Sequence, residues 1–260
     1  KSAGRVQSVT LRIIVEREME IEAFNNREYW SVKAQLSTPR NQTIDARLTV
    51  LAGKKLDKFD LENATQAEMA EQAVNSRDLT VKSVEAKPAN RNPSAPFMTS
   101  TLQQEASRKF GFGARMTMNA AQRLYEAGLI TYMRTDSFTL STLAIELTRE
   151  AVESTYGAEF LPDKPRTYKG KVQNAQEAHE AIRPAGEKIV PTSEIRKVLG
   201  EDEAKVYDLV WKRTLACQMK DAKGRRMVLK VGEADGTIQA VFQANGNVID
   251  FPGFLRAYVE

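Results

Sequence analysis

The period of the hydrophobic pattern changes twice along this chain, and this change limits the possible folds more than any other feature. Residues 30–50 and 227–251 alternate apolar and polar side chains, as half-buried strands do. Between them, residues 99–219 carry apolar side chains at helical spacing. Pairing of the two β segments makes the helical block an insertion. The predicted fold class is therefore α+β and multidomain, with a β-rich domain interrupted by an all-helical one.

The predicted domain boundaries follow these changes of pattern. Residues 1–27 contain an amphipathic helix that precedes the β-rich domain. Residues 28–97 and 219–260 form the two parts of the β-rich domain, and residues 98–218 form the helical domain. The stretch 87–96 contains three prolines and two asparagines, so we predict a domain boundary or hinge there and no regular element.

Individual elements are predicted from the same patterns and from capping residues. Ser100 with Gln103 resembles a capping box at the start of a helix. Two helices around a glycine-rich turn, followed by an extended segment at 129–133, resemble a helix-turn-helix with a wing. Trp30 and Trp211 occupy apolar faces and are predicted to lie in the core rather than to stack on bases. Helices are predicted at residues 7–24, 64–75, 100–110, 114–127, 141–156, 192–199 and 202–218, and strands at 30–37, 44–50, 79–86, 227–231, 238–244 and 248–251.

Composition excludes several functional classes. With 38 basic and 34 acidic residues the net charge is +4, so a nucleic-acid surface requires local segregation of charge. Cys217 is the single cysteine, which excludes an intramolecular disulfide and indicates a reducing, cytoplasmic location. The sequence has no apolar run of about 20 residues, no Cys/His cluster for zinc and no phosphate-binding glycine loop with lysine.

One short segment combines a nucleophile with an anion-binding group. Tyr132 and Arg134 lie two residues apart, so an extended backbone points both side chains the same way. A phenol with a pKa of about 10 is a poor nucleophile, but a phosphodiester is a suitable electrophile, and a guanidinium stabilises phosphate charge. Taken alone, this pair is more often a half-buried strand tyrosine beside a surface arginine.

The surrounding residues add a resemblance to a known family. Four segments, in the same order as in the family, resemble the motifs of type IA DNA topoisomerases, and bacterial topoisomerase I in particular. They are residues 2–8 (SAGRVQS), 95–103 (APFMTSTLQ), 122–137 (QRLYEAGLITYMRTDS) and 176–184 (QEAHEAIRP). The resemblance covers essentially the whole chain and is least distinctive near its C-terminal end.

The resemblance implies three catalytic residues. Tyr132 is implied as the nucleophile that forms a 5′-phosphotyrosine link to single-stranded DNA. Arg134 is implied as the clamp that stabilises the phosphate in the transition state. His179, the only histidine, is implied to donate hydrogen bonds or move a proton near that phosphate, although a lone histidine is commonly structural.

Six further residues are predicted to contact DNA. Each has a structural alternative, such as a charged helix surface for Arg12, a turn cap for Asp136 and an internal role for Arg183. The helix start at Arg5 and Gln7 attracts anions through its exposed amides. The full set is Arg5, Gln7, Arg12, Arg115, Asp136 and Arg183.

The resemblance also implies the wider context. In the family, residues 1–27 belong to a base domain, and the β-rich domain is an arch, or strap, that carries the tyrosine-bearing helical domain as a gate. A preceding acidic domain binds Mg²⁺, and the chain opens at Lys1 without it, so we expect no metal here and no activity from this piece alone. Expected partners are negatively supercoiled DNA with a single-stranded segment and the missing domain. We expect a nucleoid-associated, cytoplasmic monomer without membrane contact.

Two other functions remain open at this point. One is a non-catalytic winged-helix module that only binds DNA. The other is a tyrosine recombinase. The recombinase class needs additional arginines and a histidine around its tyrosine and forms the opposite, 3′-linked ester. The order of the motifs here does not follow that class.

Overall fold

A computed structural model describes residues 4–75, 77–168, 180–186 and 192–259 and shows a mixed α/β chain. The coarse α+β prediction is confirmed. The helices are α1 (Arg5–Glu22), α2 (Ala64–Val74), α3 (Thr99–Phe110), α4 (Ala114–Glu126), α5 (Thr142–Tyr156), α6 (Thr192–Val198) and α7 (Glu201–Cys217). The strands are β1 (Lys33–Ser37), β2 (Thr43–Leu51), β3 (Lys54–Lys55), β4 (Leu79–Arg91), β5 (Ala222–Glu233) and β6 (Val241–Phe251).

The strands form one sheet in the order β1-β2-β6-β5-β4, with β3 paired to β2. β1 and β2 are antiparallel, and their register places Ala34 opposite Ala46 and Leu36 opposite Ile44. β2 also pairs antiparallel with β6, and the register shifts between Leu48 and Val50. Pairing of β2 with β6 joins the β segments from before and after the helical block, as the change in hydrophobic period predicts.

The chain divides into two compact units. Unit 1 comprises residues 1–86 and 227–246, and unit 2 comprises residues 87–226 and 247–260. The division therefore falls within β4, β5 and β6. The small core of unit 1 is formed by the buried side chains of Ala46, Leu48, Leu61, Ala70, Ala240 and Phe242.

The core of unit 2 is built around α7. The side chains of Val206, Leu209 and Leu215 are fully or almost fully buried, and α7 contacts α3, α4, α5 and α6. Cys217, at the end of α7, is completely buried. Burial in apolar surroundings raises the pKa of its thiol to about 12, so this cysteine stays protonated.

The prediction that residues 87–96 contain no regular element is wrong for the first half of that stretch, because β4 continues to Arg91. The boundary between the two units does fall at its start, between residues 86 and 87. Pro88 lies inside this strand and lacks the N–H that a ladder needs. β4 is at the end of the sheet order, and an edge strand tolerates proline because one row of its backbone groups has no neighbouring strand. Proline was therefore an unreliable sign of a break at this position.

Other local predictions also need correction. Two strands were predicted at 238–244 and 248–251, but residues 241–251 form one continuous strand, β6, and residues 238–240 lie outside it. The capping box at Ser100 is wrong: the helix is capped at Met98, whose N–H donates to Thr101 Oγ1 at 3.0 Å. In the segment predicted as a wing, only Ile130 makes a β-bridge, to Pro184.

Helices α3 and α5 lie close to their predicted bounds. Ser141 caps α5 by accepting a hydrogen bond from the N–H of Ala144. Gly111 ends α3 in the left-handed conformation, with φ of 69°. Within the described ranges, no helix combines the length and the apolar composition needed to cross a bilayer.

Candidate functional site

Residues 131–137, called the tyrosine segment, are extended, and their side chains alternate between core and solvent. Met133, Thr135 and Ser137 are buried, whereas Tyr132, Arg134 and Asp136 are exposed. The exposed fraction is 41% for Tyr132 and 1% for its neighbour Met133. Residues two apart lie on the same side of an extended backbone. Burial of one alternate row of side chains therefore places the other row on the solvent side. Tyr132, Arg134 and Asp136 thus face solvent from one segment.

The first residue of α3 holds this segment in place. The backbone N–H of Thr99 donates to the carbonyl of Thr135 at 2.9 Å, and the N–H of Thr135 donates to Thr99 Oγ1 at 2.9 Å. The Thr99 hydroxyl lies 2.7 Å from the carbonyl oxygen of Met133 and 3.0 Å from that of Thr135. Thr99 therefore contacts the backbone on both sides of Arg134.

A third piece of chain anchors the start of the segment. Thr131 N–H donates to the carbonyl of Arg183 at 2.9 Å, and Thr131 Oγ1 donates to that of Ala181 at 2.7 Å. Ile182 N–H donates in turn to the carbonyl of Phe97 at 2.8 Å. The start of α3, the tyrosine segment and residues 180–184 therefore form one hydrogen-bonded assembly within unit 2.

The ring of Tyr132 packs against a second tyrosine. Tyr125, in the last turn of α4, meets it edge to face, with ring centroids 5.3 Å apart and an interplanar angle of 67°. Gly128 lies between them with φ of 70°, which lets the chain turn sharply after α4. This contact restricts the ring of Tyr132, although much of its side chain stays exposed to solvent.

A cleft of about 380 Å³ opens beside Arg134 at the N-terminus of α3. Helix N-termini carry unpaired N–H groups and partial positive charge, and the first turn of α3 has no acidic residue. The guanidinium of Arg134 adds a full positive charge, opposed by the carboxylate of Asp136. The cleft suits an anion such as a phosphodiester. Its lining residues are Met98, Thr99, Ser100, Gln103, Arg134, Thr135 and Asp136.

The chain is similar to known proteins over its full length. A family model described as DNA topoisomerase matches residues 1–260. The chain belongs to the type IA DNA topoisomerase family. It is 49% identical to DNA topoisomerase 1 of Streptomyces coelicolor over 282 residues, covering all of this chain and 29% of that protein. It is also 49% identical to DNA topoisomerase 1 of Zymomonas mobilis over 261 residues, covering all of this chain and 21% of that protein.

A solved structure of full-length topoisomerase I from Thermotoga maritima has a similar fold. Its TM-score with this chain is 0.77 at 31% sequence identity, and the match covers all of this chain and 41% of that one. The chain therefore spans less than half of the length of each of these three proteins.

The topoisomerase-like motif at 176–184 is only partly within the described residues. His179 lies outside them. Arg183 is mostly buried, and its guanidinium donates to Glu180 Oε2 at 2.6 and 3.1 Å and to the carbonyl of Pro184 at 2.9 Å. These bonds give Arg183 an internal role, and its contact with DNA stays a prediction.

The carboxylate of Glu180 links this motif to α5. Burial acts to raise its pKa, but hydrogen bonds from the N–H of Ser141 and from Arg183 outweigh burial, so the pKa lies below its ordinary value. Glu180 is therefore ionised at neutral pH and keeps Arg183 oriented.

The remaining predicted DNA contacts lie on helix surfaces. Arg5 and Gln7 are exposed in the first turn of α1, and Arg12 pairs with Glu16 at 2.6 Å on the same helix. All three belong to unit 1, whereas the tyrosine segment belongs to unit 2. Arg115 is exposed at the second position of α4, in unit 2.

The magnesium ion implied by the resemblance finds no set of ligands in the described part of the chain. Across residues 4–75, 77–168, 180–186 and 192–259, no three His, Cys, Asp or Glu side chains come together. Among the described residues, Asp136 is the only carboxylate that lines the cleft beside Arg134.

The sequence did not single out Thr99 or Tyr125. Thr99 directly precedes the residue that was predicted to cap α3, and a hydroxyl residue at a helix start is a recognisable signal. Tyr125 is seven residues before Tyr132, and only the turn at Gly128 brings the two rings together. Neither pattern alone shows that the residue contacts the tyrosine segment.

Proposed function

We propose that this chain is the tyrosine-bearing part of an enzyme that cleaves one DNA strand and reseals it. The observation that carries the proposal is the joint exposure of Tyr132 and Arg134 on one extended segment beside an anion-attracting helix start. Membership of the topoisomerase family supports DNA as the substrate.

Cleavage would proceed by attack of Tyr132 Oη on a backbone phosphorus. The bond from phosphorus to the 3′ oxygen breaks, and the 5′ phosphate becomes esterified to the tyrosine. The phenolic proton is lost, and the departing 3′ oxygen gains one proton, so the step is balanced. One phosphodiester replaces another, and the 3′-hydroxyl can reverse the reaction without ATP.

The positive groups of the cleft would stabilise the pentavalent transition state. Arg134 supplies a planar pair of donors for the non-bridging oxygens, and the start of α3 adds backbone N–H groups. Asp136 would orient Arg134 or cap the turn that follows. His179 is proposed to donate to the phosphate or move the proton.

Relaxation needs more than this reaction. We propose that the helical domain containing the tyrosine is inserted in the β-rich arch as a moving gate, so that a second strand passes before resealing. We propose that an acidic domain elsewhere in the enzyme holds Mg²⁺ and that the chain alone relaxes no DNA. Negatively supercoiled DNA, a cytoplasmic location and a monomeric state belong to the same proposal.

A chimera tests the role of Tyr132. This chain replaces the matching segment of the Streptomyces coelicolor topoisomerase, and relaxation of supercoiled plasmid is measured with Mg²⁺. Tyr132→Phe should abolish relaxation and covalent trapping, whereas Tyr125→Phe, which changes the neighbouring ring in the same way, should retain both. Relaxation by the Tyr132→Phe chimera would remove this residue from the reaction.

The same chimera tests Arg134. Arg134→Ala should slow cleavage of a single-stranded oligonucleotide by about 10²–10³-fold while weakening binding much less. Arg108→Ala, which changes an exposed cation on α3 outside the cleft, is the matched control. An equal loss of binding and cleavage would make Arg134 an ordinary DNA contact.

A non-catalytic DNA-binding module is the second candidate, because α3 and α4 are joined by only Gly111, Phe112 and Gly113, as in a helix-turn-helix. This candidate predicts binding without any covalent product. End-labelled substrate separates the recombinase alternative, since a 3′ phosphate on the protein would support that class.

A further inference from the structure

A second cleft lies in unit 1, and its lining residues come from residues 29–61, far from Tyr132 in the sequence. Its volume is about 440 Å³, within the range of about 300–1,000 Å³ typical of small-ligand sites. The buried side chains of Leu48 and Leu61 line it and belong to the core of unit 1. The cleft is therefore supported by packed residues rather than by a loose loop.

Two aromatic side chains line this cleft and remain exposed. Tyr29 is 51% exposed and Trp30 is 42% exposed, which contradicts the prediction that Trp30 lies in the core. The backbone beneath them is fixed, because Trp30 N–H donates to the carbonyl of Leu61 at 2.8 Å. The ring of Tyr29 also meets Phe59 edge to face, with centroids 6.0 Å apart. The packed structure thus presents these rings to solvent.

Cationic side chains lie over the rings of Tyr29 and Phe59. Lys58 Nζ lies 4.4 Å from the ring centroid of Tyr29, and the guanidinium of Arg27 lies 4.2 Å from that of Phe59. Arg47, on β2, lines the cleft together with Lys58. Of the described residues that line the cleft, Asp57 is the only one with a carboxylate. Aromatic surface and positive charge are therefore interleaved.

We propose that this cleft, at Tyr29, Trp30, Arg47 and Lys58, binds single-stranded nucleic acid. An unpaired base stacks on an exposed ring, and the adjoining phosphates contact the cations. A duplex keeps its bases stacked inside and offers only phosphates, so it gains less from these rings. The site requires neither Tyr132 nor the cleavage reaction and goes beyond the function proposed above.

Tryptophan fluorescence gives a direct readout, because the chain has two tryptophans. In the 260-residue chain, Trp211→Phe leaves Trp30 as the only reporter. Titration with a fifteen-residue oligothymidylate should quench Trp30, since a base that stacks on the indole shortens its excited state. Duplex of the same length should quench it less at equal concentration.

Matched substitutions identify the cleft as the source of binding. Tyr29→Leu and Lys58→Gln should each weaken the affinity seen by Trp30 at least about fivefold. Arg47→Gln should reduce the dependence of binding on salt by roughly one phosphate contact. The controls are Phe24→Leu and Arg40→Gln, an exposed aromatic and an exposed cation of unit 1 outside the cleft, which should change neither.

The outcomes separate this inference from the cleavage proposal. Arg134→Ala and Tyr132→Phe should leave the quenching of Trp30 unchanged, even if they abolish cleavage in the chimera. Absence of quenching, equal quenching by duplex, or quenching insensitive to Tyr29→Leu and Lys58→Gln would each overturn the proposal. Circular dichroism of each variant confirms that its fold is retained.

Discussion

Helices α1 and α7 have similar lengths, 18 and 17 residues, but opposite surroundings. α1 buries none of its residues and exposes 61% of Ile13 and 56% of Val9. α7 buries most of its side chains in the core of unit 2. Both sequences have helical periodicity, so the pattern predicts the helix but not whether packing stabilises it.

The two helices are therefore stabilised by different interactions. α1 has no side-chain cap, and its exposed ion pairs, Arg12–Glu16 and Arg17–Glu20, contribute about 0.3–0.5 kcal/mol each. In α7 each large buried side chain contributes several times that amount. Substitutions should therefore lower the free energy of unfolding by large amounts in α7 and by small amounts in α1.

The largest effect is expected in α7. Leu215→Ala removes a side chain with no exposed surface and leaves a cavity in a close-packed core. The free energy of unfolding of unit 2 should fall by about 2–5 kcal/mol, measured by urea denaturation. A loss below about 1 kcal/mol would show that α7 is less tightly packed than its burial indicates.

A smaller loss is expected at the tyrosine segment. Thr99→Val keeps the shape but removes the hydroxyl that contacts the backbone beside Arg134, leaving the N–H of Thr135 without this acceptor. The cost should be about 1–3 kcal/mol, together with slower cleavage by the chimera. Thr99→Ser retains the hydroxyl and should restore most of the stability and most of the cleavage rate. If it restores neither, the methyl group of Thr99 and not its hydroxyl is responsible.

A pH-dependent effect is expected at Glu180. Its pKa is lower in the folded chain than the ordinary value of 4.5, so its stabilising contribution is complete above that value and is lost as pH falls through the lower folded-state pKa. Glu180→Gln should therefore reduce the loss of stability on acidification, measured by thermal unfolding between pH 6 and 3. Glu18→Gln, on exposed α1, is the control; equal slopes for wild type and Glu180→Gln would contradict the assignment.

The smallest effect is expected in α1. Ile13→Ala removes an exposed side chain and replaces it with a better helix former, so stability should change by no more than about 0.5 kcal/mol. The same denaturation experiment measures it. A loss comparable to that of Leu215→Ala would mean that α1 packs against another surface in solution and would remove the contrast between the two helices.

The sequence predicted those parts of the fold that depend on local periodicity. The helices and the alternation in β1 follow from side chains close in the chain. Local signals failed at Pro88, because tolerance of proline depends on the position of β4 at the sheet edge. They failed again at Trp30, whose exposure depends on how the backbone is held by Leu61.

The candidate site was predicted to a similar extent. Two-residue spacing predicted that Tyr132 and Arg134 face the same side, because this relation is local. The bonds of Thr99 to residues 133 and 135, and of Thr131 to residues 181 and 183, join positions far apart in sequence. No periodicity encodes such contacts. The catalytic roles of Tyr132, Arg134 and His179 stay predictions.

The protonated, inaccessible thiol of Cys217 has a practical consequence. Maleimide and spin-label reagents need a thiolate in contact with solvent, and this sulfur offers neither. Cysteines introduced at exposed positions therefore become the attachment points without removal of the native residue. Dye pairs placed in this way, one in each unit, would report domain motion by energy transfer in an otherwise unaltered chain.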